Sequence, residues 1–197
     1  KIYNDLKSDE LVFLDINASR EKRLISLDFV KKVSEEANMP FAVGGGIKTL
    51  DQIRNVISSG AEKVIICSEA VRTPQFIKEA SLSFGTSTIA VCIDYKKPFL
   101  KNNLVFSISG SKKSRYKPLE FAKLMQDKGA GEIILQSISR DGTMTGYDLE
   151  LIKEMSCNLE IPVVALGGAG ELNDLHLAFR NAKASALAAG SLFVYQS

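Results

Sequence analysis

The sequence predicts an α/β protein, a parallel (β/α)8 TIM barrel built from two half-barrels, and three observations carry that prediction. Short apolar runs alternate with amphipathic stretches along the chain, most runs are continuous rather than alternating in hydrophobicity, and the pattern repeats at a shift of 122 residues. Strand then helix, repeated, means a parallel sheet. Continuous apolar strands mean a sheet covered on both faces. A fixed shift across three successive strand–helix units means two related halves.

The predicted strands are residues 11–16, 41–43, 63–67, 88–94, 132–138, 162–166 and 185–189. Between them, residues 27–37, 50–59, 74–83, 118–128, 149–157 and 173–181 place apolar side chains at helical spacing. Residues 1–8 look like the tail of a further helix, with Ile2, Tyr3 and Leu6 on one face. The repeat aligns Glu10-Leu-Val-Phe-Leu with Glu132-Ile-Ile-Leu-Gln, and Gly45-Gly46 with Gly167-Gly168. It also aligns Leu50 and Ile53 with Leu172 and Leu175, and Gly60-Ala61 with Ala182-Lys183. The strand ending at Asp94 would have its counterpart before residue 1. The expectation is therefore one incomplete barrel domain over 1–197, lacking the first strand and the end of the last helix. A seven-stranded sheet leaves two edges unpaired, so this chain alone is expected to be poorly stable or aggregation-prone, and inactive.

Composition narrows the function. With 45% hydrophobic and 24% charged residues, the chain reads as an ordinary soluble globular protein. A formal charge of +2 gives no reason to expect nucleic acid or an anionic membrane as the main partner. No apolar run approaches the roughly 20 residues that span a bilayer, and no signal peptide opens the chain. Cys67, Cys92 and Cys157 are odd in number and far apart, which fits a reducing cytoplasm. Cys67 and Cys92 lie within apolar runs and read as small buried side chains rather than metal ligands or nucleophiles. The lone histidine, His176, has no cysteine or second histidine near it, and a catalytic or metal role is not expected. No metal and no cofactor is predicted.

In a parallel barrel the site lies where the strands end at their C-termini. The polar residues falling there are Asp15, Asn17, Ser19, the glycines 44–46, Ser68, Glu69, Asp94, residues 139–143, the Gly167-Gly168-Ala169-Gly170 turn and Gly190-Ser191. Glycines let a backbone N–H approach a phosphate closely, and helix N-termini favour anions. Gly167 and Gly168 with Gly190 and Ser191 would cradle one phosphate; Gly46 with Ser68 would form its twin across the barrel. Each pair could instead merely make a tight strand-to-helix turn, but two symmetry-related pairs favour a substrate with a phosphate at each end. Asp94 and Asp141 are the carboxylates placed for proton transfer. Their plainer readings are a salt bridge from Asp94 to Lys96 or Lys97, and an Asp-Gly turn at Asp141. Asp15 reads as either catalytic or an interior structural carboxylate. At the opposite rim Glu10, Lys63 and Glu132 would be either solvated or a paired ring closing the barrel.

The segments LVFLDINAS, PFAVGGGIKT, AVCIDYKK, GAGEIILQSISRDGT, TGYDLELI and VVALGGAG resemble the cyclase subunit of imidazole glycerol phosphate synthase, over nearly the whole chain. The resemblance implies a barrel of two half-barrels. It also implies ammonia-dependent cleavage and ring closure of a bisphosphorylated ribulosyl-formimino aminoimidazole carboxamide, with ammonia supplied by a glutamine amidotransferase docked at the bottom face. It makes Asp94 one of two catalytic aspartates, Asp141 an auxiliary carboxylate, and Gly46, Ser68, Gly167, Gly168, Gly190 and Ser191 the phosphate sites. Glu10, Lys63 and Glu132 match three of four residues gating the ammonia entrance. Departures from the family pattern are Cys67 for asparagine, Ser139 for aspartate, and Leu166 and Gly190 for serine. ALGGAG and AAGSLFVY also resemble paralogues that help deliver ammonia for sugar amidation in surface-polysaccharide synthesis. A non-catalytic scaffold that activates a glutaminase is the third expectation.

Overall fold

A computed structural model describes residues 8–96 and 103–195, with side chains described up to residue 193. The expected helix at the start of the chain, and Lys97 as a partner of Asp94, lie outside the described residues. The first half contains β1 (Leu11–Leu14), α1 (Leu27–Glu36), β2 (Phe41–Gly44), α2 (Leu50–Ser58), β3 (Lys63–Ile66), α3 (Ser68–Arg72) and α4 (Gln75–Phe84). A 3-10 turn leads into β4 (Ile89–Lys96), which is followed by β5 (Leu104–Ser107) and β6 (Lys112–Lys113). Then come α5 (Pro118–Asp127), β7 (Glu132–Ser137), α6 (Leu149–Asn158), β8 (Val163–Leu166), α7 (Leu172–Arg180), β9 (Ala186–Ala188) and α8 (Ser191–Tyr195).

Seven strands pair in parallel in the order β1-β2-β3-β4-β7-β8-β9, with helices between them. This is the (β/α)8 pattern in a nearly closed barrel. Among the described residues β1 and β9 each have a neighbour on one side only. One feature was not expected from the sequence: β4 also pairs antiparallel with β5, and β5 with β6, so a small meander rises from the end of β4.

The helices begin where polar side chains satisfy the first free backbone donors. Ser26 Oγ accepts from the Phe29 amide, Thr49 Oγ1 from Gln52, and Asp148 Oδ1 from Leu151. At α7, Asp174 accepts from the amides of Gly170 and Glu171. These starts keep the 122-residue spacing, as do α1 with α6 and α2 with α7. From the third strand of each half the spacing becomes 123: Ala42 pairs with Lys63, whereas Val164 pairs with Ala186. Gly60 therefore corresponds to Lys183, both with positive φ, rather than to Ala182. One extra residue in the turn after α7 is the cause, and it makes Ser191, not Gly190, the counterpart of Ser68.

The period of two along each strand sorts the core into two layers. Phe41, Val43, Ile89, Val91, Ile93, Ile133 and Leu135 pack outward against the helices. Ala42, Ile65, Ala90, Cys92 and Ile134 fill the barrel interior, flanked by Val12, Leu14 and Cys67. The same alternation puts Lys63, Ile65 and Cys67 on one inward column, Ala90, Cys92 and Asp94 on the next, and Glu132, Ile134 and Gln136 on the third. Each column thus joins the lower rim to the upper mouth through a few small apolar side chains. Among the described residues no helix is long and apolar enough to cross a membrane.

Candidate active site

The upper ends of these columns form a cavity of about 200 Å3, lined by Gly46, Cys67, Ser68, Asp94, Gln136 and Asp141 among others. Asp94 is 7% exposed at the end of β4, beside β7 on one side and β3 on the other. Burial pushes its carboxyl up from the usual range; hydrogen bonds from the Cys67 and Cys92 thiols oppose that shift, and the Asp141 charge adds to it. Among the described residues Asp94 has no salt bridge: Lys96 instead donates to the Gly110 carbonyl at 2.9 Å and lies over the Phe106 ring. The Asp94–Lys96 pairing that the sequence left open is thus not formed.

Asp141 faces the same cavity and accepts from Gln136 Nε2 at 3.4 Å. Its backbone also closes a turn onto the Ser137 carbonyl, and Gly142 follows at φ 74°. The turn and the exposed carboxylate coexist, so the plainer reading does not displace the functional one. Asp15 resolves toward structure. It pairs with Arg23, and its Oδ1 accepts from the amides of Asn17 and Ala18 at 3.1 Å each. The Arg23 hydrogen bond is the main reason its carboxyl sits below the ordinary range.

Gly46 has φ 69°, and a Cβ there would run into the Arg23 carbonyl, so glycine is required. Ser68 Oγ accepts from the Ile108 amide at 2.9 Å, which leaves its own hydroxyl hydrogen free to donate. Gly167 and Gly168, at φ 92° and 112°, end β8 beside the end of β9, where Gly190 and Ser191 follow. Their Cβ positions would meet the carbonyls of Ser137 and Gly146. Gly190 has open space around it and no such requirement. These four residues do not line the cavity that holds Gly46 and Ser68. The described structure therefore places the two glycine pairs at separate points of the mouth.

At the lower rim Lys63 Nζ donates to Glu10 Oε2 at 2.9 Å and to Glu132 Oε2 at 3.1 Å. Of the two expectations for this rim, the paired arrangement is the one present. Burial alone would lower the lysine, but the two carboxylates outweigh it and hold its ammonium above the ordinary range. His176 is exposed on α7 and does not line the cavity.

Several residues of the site were missed from the sequence. Gln136 bridges toward Asp141 and lies 3.6 Å from the Cys92 sulfur; counting in twos from Glu132 would have found it. Arg20 donates to the Ser109 carbonyl at 3.1 Å, tying the first βα loop to the meander tip. The Ser109 hydroxyl donates to the Ile16 carbonyl. Cys67 and Cys92 are brought beside Asp94, with their ligand atoms all within 4.8 Å of one another.

The sequence model of the family described as Histidine biosynthesis protein matches residues 1–197. A protein of Alkaliphilus metalliredigens called imidazole glycerol phosphate synthase subunit HisF is 45% identical over 195 residues, covering 99% of this chain and 77% of that protein. Proteins of the same name from Chlorobium phaeobacteroides and Methanococcus maripaludis are 43% identical over 196 residues and 42% over 216. Each alignment covers 100% of this chain, with 78% and 79% of the respective relatives.

Proposed function

This chain belongs to the histidine biosynthesis protein family, and on that premise we propose that it acts as the cyclase subunit of imidazole glycerol phosphate synthase. It is an enzyme of the lyase/cyclase type, using ammonia to split a bisphosphorylated ribulosyl-formimino aminoimidazole carboxamide and close an imidazole ring. The observation that carries the reading is Asp94: a buried carboxyl at the mouth of the barrel, faced by Asp141 across Gln136, in the cavity lined by Gly46 and Ser68.

The chemistry requires protons to move in both directions. Ammonia sheds protons as it becomes a ring nitrogen, and the departing amine gains one. A carboxyl whose pKa is raised by burial is moved toward the range in which one group can both give and take a proton. Asp141 keeps a second negative charge near Asp94, which holds the first proton in place. Gly46 and Ser68 hold one phosphate; Gly167, Gly168, Gly190 and Ser191 hold the other. The substrate is thereby stretched across the mouth with its central bonds over Asp94.

Glu10, Lys63 and Glu132 form the ammonia gate. The partner at that face is a glutamine amidotransferase, and the pair works in the cytoplasm. The interior columns connect gate and mouth through Ile65, Ala90, Cys92 and Ile134, whose apolar surface holds no ammonium ion and lets neutral ammonia pass. The test is ammonia-dependent turnover of the ribulosyl-formimino substrate by the intact protein. Turnover that Asp94→Asn abolishes supports the reading. A folded protein that turns nothing over would overturn it, and would turn attention to sugar amidation or to a scaffold role.

A further inference from the structure

We infer that Cys67, Cys92 and Asp94 form a binding site for a soft divalent metal ion of the zinc class, inside the barrel mouth. The two thiols come together because β3 and β4 are parallel neighbours. Ile66 pairs with Val91, and one step further Cys67 stands beside Cys92. Asp94 lies two residues beyond Cys92 on the same inward column. The result is a set of two sulfurs and one carboxylate oxygen within 4.8 Å of one another.

Tetrahedral zinc, with metal–sulfur bonds of about 2.3 Å and metal–oxygen bonds of about 2.0 Å, needs a sulfur–oxygen edge of about 3.5 Å and a sulfur–sulfur edge of about 3.8 Å. The Cys92 Sγ to Asp94 Oδ1 distance is 3.5 Å. One edge of the tetrahedron is thus already formed, and the third ligand needs little movement. Cys67 is only half-buried and lines the cavity, so the fourth position opens toward solvent or substrate. Gln136 Oε1 lies 3.6 Å from the Cys92 sulfur, an alternative acceptor for the thiol proton that metal binding displaces.

The donor set decides the ion. Two thiolates favour zinc, cobalt or cadmium, whereas magnesium and calcium require oxygen ligands. Binding one Zn2+ displaces both thiol protons to solvent and leaves a complex of net charge −1, counting the Asp94 carboxylate. The ion would occupy the Asp94 oxygen that turnover needs, so it inhibits. That consequence rests on the catalytic reading of Asp94; binding does not.

Cobalt(II) serves as the probe, added to the protein kept reduced by a thiol-free phosphine, with zinc titrated calorimetrically in parallel. The expected result is one cobalt per chain with a sulfur-to-cobalt charge-transfer band, displaced by equimolar zinc and unaffected by excess magnesium. Cys67→Ser and Cys92→Ser should each weaken binding at least tenfold. Cys157→Ser, at the exposed third cysteine, should leave the band intact. Circular dichroism verifies folding, and if Cys92→Ser unfolds, Cys67→Ser at the cavity edge carries the test. No charge-transfer band, a cobalt affinity that Cys67→Ser leaves unchanged, or a band lost in Cys157→Ser overturns the proposal. Because the readout is spectroscopic, a failed turnover assay leaves it unaffected.

Discussion

Asp94 is a side chain whose burial is costly to the fold and, on the proposed function, useful to the chemistry. Because its folded pKa is raised by burial, the ionised form is penalised in the native state. Its contribution to stability is therefore present below the ordinary value of 3.8 and is lost as pH rises through the raised value. Asp94→Asn should lower turnover by roughly 10^2 to 10^4-fold, the usual yield of a positioned acid–base group. The same variant should melt at or above the parent temperature at pH 7, with the gap closing as pH falls toward 4. Thermal melts across that range check the sign; a variant that melts well below the parent at pH 7 would show that the carboxylate is stabilising. The glycines divide just as sharply. Gly46→Ala forces a side chain into the left-handed region and against Arg23, and should cost about 1–3 kcal/mol in urea unfolding. Gly190→Ala meets nothing and should stay within about 0.5 kcal/mol.

Between elements, the lower rim joins three strands through Lys63. With side-chain exposures of 16% to 32%, its two ion pairs lie between the exposed and buried regimes, so Lys63→Met should destabilise by about 1–2 kcal/mol. The raised lysine contributes fully below its ordinary value of 10.5 and loses that contribution only as pH climbs through the higher folded value. The deficit should therefore be flat from pH 6 to 9 and shrink above the lysine range. On the proposed function, in complex with a glutaminase partner, the ratio of glutamine-driven to ammonia-driven turnover should fall severalfold. An unchanged ratio would remove the gate from the mechanism. The strands and helices that build this rim were legible because their cause is local: apolar runs of three to seven residues and amphipathic spacing between them. Predicted and observed bounds of α1, α2 and β3 differ by a residue or less. The meander of β5 and β6 was not legible, because β6 is only two residues long and the tip holds Ile108 and Ser109 at positive φ, which neither residue type favours. Nor was the meeting of Cys67 with Cys92, which depends on the register of two strands rather than on either segment alone. The shift in the repeat from 122 to 123 was hidden for a related reason: only strand pairing reveals an added turn residue.

Across the whole molecule, the proposed function makes the two halves set the logic of binding. Gly46 and Ser68 belong to the first half; Gly167, Gly168 and Ser191 belong to the second, where both glycines again have positive φ. A ligand with one phosphate can use one half at a time. A ligand with two uses the second half at the high effective concentration set by its own length, which raises affinity by about 10^2 to 10^4-fold over either phosphate alone. At a hundred times its dissociation constant such a ligand adds about 2.7 kcal/mol to folding stability, which is on the order of 5–11 °C for a chain of this size. Thermal shift with a bisphosphorylated substrate analogue and with a sugar monophosphate measures both affinities. Ser68→Ala removes one hydroxyl donor from one half only, so it should weaken the bisphosphate by about tenfold and leave the monophosphate, which retains the other half, nearly unaffected. Equal losses for both ligands would mean that a single half does all the binding and that the repeat matters to the fold but not to the substrate. Unequal losses in the stated direction would tie the internal duplication of the barrel to the two-ended shape of its substrate.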